Sequence, residues 1–368
     1  MHTADNHIGI QFSGKSNEAG EALVTERTAA LKRIVDKANQ HNCDFLVVAG
    51  DLFDEVKFRL KDVRDVAKIL NGFIGSVIII PGNHDYYQSE PDKLWGKFSG
   101  EADEGKVFIL HRYEVFRRTV GEQEVNFYPC SCRSKHSEVN MIGWVKNAEK
   151  NPGAINIGIA HGNVEGLGLD HNDRYFNMTV EELKSTGVDF WLLGHIHVPY
   201  PSYEKVEKNP DFFMPGTHTP DGWNRSHPGY AWMIEVDENK HVKAERIVTG
   251  KLRFYDWKEK LNTPEEINAL AAKVNALDGA TSFLRLNLDG RLSESEMNKM
   301  KELFREWESK FLEFDLKNNL KYKIDKEYIN NTYPENTIAY KLLSALANEE
   351  GNDLALHLAH ELIENNRK

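Results

Sequence analysis

Cysteine is scarce. Cys43, Cys130 and Cys132 are the only three in 368 residues. Three thiols at this spacing make neither a disulfide framework nor a zinc-ligand pattern. Such usage suits a reducing compartment, and the cytoplasm is the expected location. Cys130 and Cys132 are expected to share one face of a strand as packing residues. No run of about 20 apolar residues occurs, so no membrane-spanning helix is expected. The amino-terminal stretch lacks the basic-then-apolar order of a secretion signal. Positive charge is also short. Lys and Arg total 46 against 57 Asp and Glu, a net charge of −11. This charge argues against a protein that coats DNA by itself, and not against a nuclease.

What the chain does have is a set of metal-binding side chains in five short stretches. They are Asp5 and His7 in DNH, Asp51 in GD, Asn83 in GNHD, His161 in AHG, and His195 with His197 in GHIH. One such stretch carries little information; all five in this order point to a metal centre. Mixed oxygen and imidazole donors suit manganese, iron or zinc better than calcium. Two divalent ions about 3.5–4 Å apart clamp a phosphate and activate water. The expected assignment puts Asp5, His7 and His197 on one ion and Asn83, His161 and His195 on the other. Asp51 would bridge them. The expected cofactor is two divalent ions, with Mn(II) the leading choice.

The spacing has a geometric reason. In D-x-H and H-x-H, alternate residues of an extended segment point the same way. Apolar runs at Phe45–Ala49, Val77–Ile80 and Phe190–Leu193 precede three of the stretches and read as buried strands. Their carboxyl ends deliver the ligands, where open α/β sheets place their sites. Gly50 and Gly82 stand directly before a ligand, where the chain must turn tightly.

Beside the ligands, His84 is the candidate catalytic acid, able to protonate the leaving oxygen. Asp54 is the candidate acceptor for its ring N–H, fixing the tautomer. Asp85 has a weaker claim as a further hydrogen-bond acceptor. Arg112, Arg117, Arg118, Arg133 and Lys135 are candidates for contact with a phosphate backbone, and a solvated strand face accounts for them equally.

At this point the residues carry a resemblance. HTADNHIG, VVAGDLFD, IIPGNHD, IAHG and LLGHIHVP resemble the calcineurin-type metallophosphoesterases. Within them, the chain is most similar to the SbcD family of DNA repair exonucleases. MPGTHTPDGW (214–223) and GYAWMIEV (229–236) fit that branch. Serine/threonine phosphatases of the superfamily are less similar: here Asp54 is followed by Glu55 and Val56, and the histidine stretch ends in Asp85. The resemblance implies a four-layer αββα sandwich, a small capping domain beside the site, and two metal ions. It also implies 3′-5′ exonuclease action on duplex ends, single-strand endonuclease action, and an SbcC-like SMC-type ATPase as partner. A homodimer is a further expectation.

Element order agrees with an α/β class. Helices are expected over Glu21–His41 and Arg59–Phe73, strands at 44–49, 107–110, 114–118, 155–160 and 188–193, and a capping box at Thr179–Glu182. A small α+β unit is expected over 251–330, with strands at 282–288 and 312–316 around a helix at Ser293–Phe311. Residues 331–368 read as a helical pair. Ile338, Leu342, Leu343 and Leu346 mark one helix; Leu354, Leu358, Ala359, Leu362 and Ile363 mark the other. A turn around Gly351 joins them. The expected division is 1–250, 251–330 and 331–368. His218 and His227 fall in the loop after the ligands and are expected as surface histidines, with a position facing the site as the alternative. Only Met1 to Ala4 precede Asp5, so a truncated first strand, or a start further upstream, is expected.

The expected activity is therefore a DNA nuclease acting on double-strand breaks. The alternative is a small-molecule phosphodiesterase or phosphatase with the same ligands. A non-enzymatic scaffold would not need an intact ligand set.

Overall fold

The computed structural model describes residues 1–167, 175–206, 209–224, 227–349 and 353–366. The chain forms two compact units, Met1–Arg253 and Phe254–Lys368.

The first unit runs β1 (His2–Thr3), α1 (Asn17–Gln40), β2 (Phe45–Ala49), α2 (Leu60–Asn71), β3 (Ser76–Ile80), α3 (Leu94–Ser99), β4 (Val107–Ile109), β5 (Phe116–Val120) and β6 (Gln123–Cys130). It continues with α4 (Gly143–Asn147), β7 (Ile155–His161), α5 (Val180–Ser185), β8 (Phe190–Gly194), β9 (Lys205–Val206), β10 (Phe212–Phe213), β11 (Tyr230–Val236) and β12 (Val242–Val248). One sheet has the order β4-β3-β2-β1-β11-β12-β9 and the other β10-β8-β7-β6-β5.

Strand periodicity decides the layering. Val47 and Ala49 of β2 face the second sheet and pack with Ile78, Ile80, Phe127, Ile159 and Leu192. Leu46 and Val48 face the other way, onto Leu31 and Ile34 of α1 and Val63 and Val66 of α2. On the far side, Tyr128, Ala160, Trp191 and Leu193 pack against Val145 of α4 and Leu183 of α5. The result is the four-layer αββα sandwich. Central strands buried on both faces explain why their sequences are unbroken apolar runs. Each fully buried Leu, Ile or Val contributes about 1.5–3 kcal/mol.

Several boundaries differ from expectation. Helix α1 starts at Asn17 because the Ser16 hydroxyl accepts from Ala19 N and caps it. Strand β6 ends at Cys130, so Cys130 and Cys132 do not share a strand face. Both are buried, and Cys132 Sγ lies 3.5 Å from the His161 carbonyl. Strand β1 has two residues, paired with β2 on one side and β11 on the other.

The second unit contains β13 (Arg253–Leu261), α6 (Pro264–Asn275), β14 (Ser282–Leu292), α7 (Glu294–Lys310), β15 (Glu313–Tyr322), α8 (Lys326–Thr332), α9 (Ile338–Ala347) and α10 (Asp353–Asn365). Its sheet has the order β13-β14-β15. β14 and β15 run parallel through the α7 crossover. Met300 and Trp307 of α7 pack on Leu284, Leu286 and Leu288 of β14. Helices α8 to α10 share a separate small core of Ile329, Tyr333, Leu343 and Leu356. The expected turn at Gly351 lies outside the described residues. Among the described residues, no helix is long and apolar enough to cross a membrane.

Candidate metal centre

All five stretches meet at one end of the sandwich. Asp5 and His7 follow β1, Asp51 follows β2, Asn83 follows β3, His161 closes β7, and His195 and His197 follow β8. Asp5, His7, Asp51 and His195 all have positive φ, at 53°, 44°, 52° and 96°. Non-glycine residues rarely adopt that region, so the surrounding structure must hold them there. Gly50, with φ of 87°, sits against a ligand. A Cβ there would lie 2.2 Å from His161 Nδ1.

The side chains form two groups around Asp51. In one, His161 Nε2 lies 3.0 Å from Asn83 Oδ1 and 3.1 Å from Asp51 Oδ2. His195 Nδ1 is 3.1 Å from the same Asn83 oxygen. In the other, His7 Nε2 lies 3.2 Å from His197 Nε2 and 3.7 Å from Asp51 Oδ2. His197 Nε2 is 3.8 Å from Asp5 Oδ1. Asp5, His7 and His197 form one set of donor atoms close enough to share an ion, and Asp51, His161 and His195 form another.

Hydrogen bonds orient the donors. His161 Nδ1 lies 2.8 Å from the Ala49 carbonyl, so it carries the proton and Nε2 presents its lone pair. That lone pair faces two oxygen acceptors, Asn83 Oδ1 and Asp51 Oδ2. With the ring neutral, three electron-pair donors converge there, a set that fits a cation. A proton competes for the same place. Burial opposes the His161 imidazolium, yet Asp51 beside it raises the pKa to about 9. Burial raises the Asp5 carboxyl to about 6. Burial also opposes the Asp51 carboxylate, but His161 outweighs it and holds the pKa well below the usual range. Buried carboxylates and imidazoles at this density suit divalent ions.

His84 borders the cluster, with its ring 4.7 Å from that of His7 and edge-on to it. Its Nδ1 lies 2.7 Å from the main-chain oxygen of Asp54, and 3.8 Å from the Asp54 carboxylate. The carboxylate is nearer to His7, at 3.3 Å from Nδ1. Asp54 thus meets the His84 ring through its main-chain carbonyl, with its carboxylate turned to His7. Asp85 is fully buried and accepts from Phe53 N at 3.1 Å and Gly82 N at 2.7 Å. It ties the Asp51 loop to the Asn83 loop.

Other candidates fall elsewhere. The Arg118 guanidinium lies 3.9 Å from the Phe108 ring centre and that of Arg133 4.5 Å from Tyr113. Arg112 lies 3.9 Å from Glu114, and Arg117 and Lys135 are exposed. His218 is not a surface residue: it is fully buried and lies 2.8 Å from the Arg27 carbonyl. His227 Nε2 lies 2.7 Å from the His197 carbonyl. Sequence reasoning missed Arg27, Thr217, Asp221 and Tyr175. Tyr175 lies against His195, with ring centres 5.2 Å apart.

This fold and donor set have the form of a metallophosphoesterase centre. The calcineurin-like phosphoesterase family matches residues 1–199, and the chain belongs to it. The chain is 30% identical over 208 residues to the uncharacterised metallophosphoesterase YhaO of Bacillus subtilis. That match covers 54% of this chain and 48% of YhaO, so the chain spans about half the length of this curated relative. Among solved structures, it resembles Haemophilus influenzae NAD nucleotidase at 15% identity, covering 84% of this chain and 59% of that one. The TM-score is 0.39.

Proposed function

We propose that this chain is a two-metal DNA nuclease of the SbcD type, using manganese and acting on double-strand breaks. Asp5, His7 and His197 would hold one ion, Asn83, His161 and His195 the other, and Asp51 would serve both. Bound ions supply charge neutralisation for the phosphate and a lowered pKa for water. The protein does the rest. The Asp51 carboxylate also accepts from the His84 N–H at 2.8 Å, which ties the two loops together. His84 stands beside them with its side chain 35% exposed. With Nδ1 turned to the Asp54 carbonyl, Nε2 is the nitrogen available to substrate. As imidazolium it gives that proton to the leaving 3′ oxygen.

The observation that carries phosphoester hydrolysis is the sharing of Asp51 Oδ2 between His7 and His161. DNA as the substrate is supported by the SbcD-like segments and by the unit that follows Arg253. The test is incubation with manganese and three substrates: end-labelled duplex DNA, single-stranded DNA and a chromogenic phosphodiester. Cleavage of DNA supports the nuclease. Turnover of the chromogenic ester with DNA left intact points instead to a small-molecule phosphoesterase.

The partner we propose is an SbcC-like ATPase, docking on α9 and α10. Support comes from an unburied apolar stripe on these helices. Ile338 and Leu342 are 85% and 45% exposed, and Leu354, Leu358 and Leu362 are 74%, 51% and 63% exposed. The i, i+4 spacing lays each set on one helix face, as helix-in-groove recognition requires. Persistence of the complex after deletion of 335–368 would reject this partner surface.

A further inference from the structure

Resting on the two-ion reading above, we infer that Arg27 and Asp221 form a buried strut that sets the geometry of the Asp5–His7 turn, and so the affinity of one ion position. The turn is strained: Asp5 and His7 have φ of 53° and 44°. Strain of this kind persists only where neighbours over-determine it. The neighbours are identifiable. Arg27 projects from α1, and its side chain is only 2% exposed. Its Nη1 donates to the Asn6 carbonyl at 2.7 Å, between the two strained residues. Its Nη2 donates to the Asp221 carboxylate.

Asp221 belongs to the MPGTHTPDGW segment, which the proposed chemistry leaves without a role. The same segment grips the turn twice more. Thr217 Oγ1 donates to the Asp5 carbonyl at 3.2 Å, and Ala4 bridges Thr217. His218 Nε2 lies 2.8 Å from the Arg27 carbonyl. Arg27 is therefore held at both its main chain and its guanidinium by one loop, and presses on Asn6. A buried guanidinium stripped of its carboxylate is costly to keep, so loss of either partner should release the turn. Their hydrogen bonds run to Asn6 and to each other. The effect should fall mainly on the position built by Asp5, His7 and His197, and reach the other only through the His195 N–H, which donates to the Asp5 carboxylate.

Calorimetric titration of the full chain with Mn(II) tests this, with activity left aside. The native protein should show two binding events. His197→Ala identifies which event belongs to the Asp5 side. Arg27→Met and Asp221→Asn should each weaken that same event by about tenfold or more, with the other changed less than about twofold. The double variant should be no worse than Arg27→Met, because the pair acts as a unit. No change in either event, or equal weakening of both, would overturn the inference. If Arg27→Met does not fold, Asp221→Asn decides alone; its side chain is 18% exposed, and asparagine keeps its size. Fewer than two ions bound by the native protein would reject the two-ion reading, and this inference with it.

Discussion

The ring of His84 rests on the main chain of Asp54, with Nδ1 2.7 Å from the carbonyl oxygen. A carbonyl accepts only, so this contact sets the His84 tautomer without any carboxylate. The Asp54 carboxylate is released for His7, 3.3 Å away. Burial opposes the His7 imidazolium, and Asp54 and Asp51 outweigh it, raising the pKa. One residue thereby steadies two histidines, by main chain and by side chain.

This division predicts that Asp54 and His84 fail differently. Asp54→Ala removes the carboxylate and keeps the carbonyl. It should weaken Mn(II) binding by about 10–100-fold, as loss of a partner to a metal-binding histidine does. His84→Ala should lower kcat by about 10²–10⁴-fold with metal affinity intact. Calorimetry and steady-state kinetics on both variants separate the two. Unchanged metal affinity in Asp54→Ala would contradict the role assigned to its carboxylate.

Gly50→Ala should be severe although it adds one methyl group. The new Cβ would meet His161 Nδ1 at 2.2 Å, where that nitrogen reaches the Ala49 carbonyl. The backbone there has φ of 87°, which alanine adopts only with strain. We expect a loss of about 1–3 kcal/mol in urea unfolding, and weaker binding at the His161 position. Gly121 is the control. It too has positive φ, but a Cβ there meets nothing within 4 Å. Gly121→Ala should show the backbone cost alone.

The ligand stretches were legible because ligand chemistry allows few residue types, and because apolar runs betray buried strands. Asn83 or His161 can be read off next to Ile80 or Ile159. Arg27 was not legible. On α1 it occupies one polar place among many, and only the folded loop brings Asp221 to it across the chain. His218 reads as a loop histidine because burial of a loop leaves no periodic mark. Strand β15 runs on to Tyr322, beyond the expected end at 316, because its pairing with β14 continues to Leu292; the exposed, polar Lys317, Asn318 and Asn319 hide this in the sequence. Asp54 was ambiguous for another reason: spacing brings it near His84 but cannot choose between carbonyl and carboxylate.

His218 predicts an acid-labile fold. Burial, reinforced by Arg27 nearby, holds its pKa at about 3 against an ordinary 6.5. Between those values the unfolded chain binds the proton and the folded chain does not. Stability from this residue is therefore intact above about pH 7 and falls as the pH drops, by up to about 1.4 kcal/mol per unit. His218→Gln keeps a donor for the Arg27 carbonyl and removes the titration. Urea midpoints between pH 4 and 7 should fall less steeply in the variant. An identical slope would show that His218 is not the group responsible.

The exposed stripe on α10 predicts a surface whose loss leaves the fold intact. Leu354, Leu358 and Leu362 stand at i, i+4 and i+8, all more than half exposed, while Leu356 on the same helix is 4% exposed in the small core. Replacing Leu358 with Glu removes exposed apolar area and leaves no buried cavity. Its effect on unfolding should stay within about 0.5 kcal/mol. Leu356→Ala should cost about 2–5 kcal/mol, because it empties a packed position. Co-purification with an SbcC-like ATPase should then be lost in Leu358→Glu at undiminished stability. A complex that survives Leu358→Glu together with Leu354→Glu would mean that the partner docks elsewhere. In that case the stripe would be left to self-association, which sedimentation of the two variants against the native chain would detect.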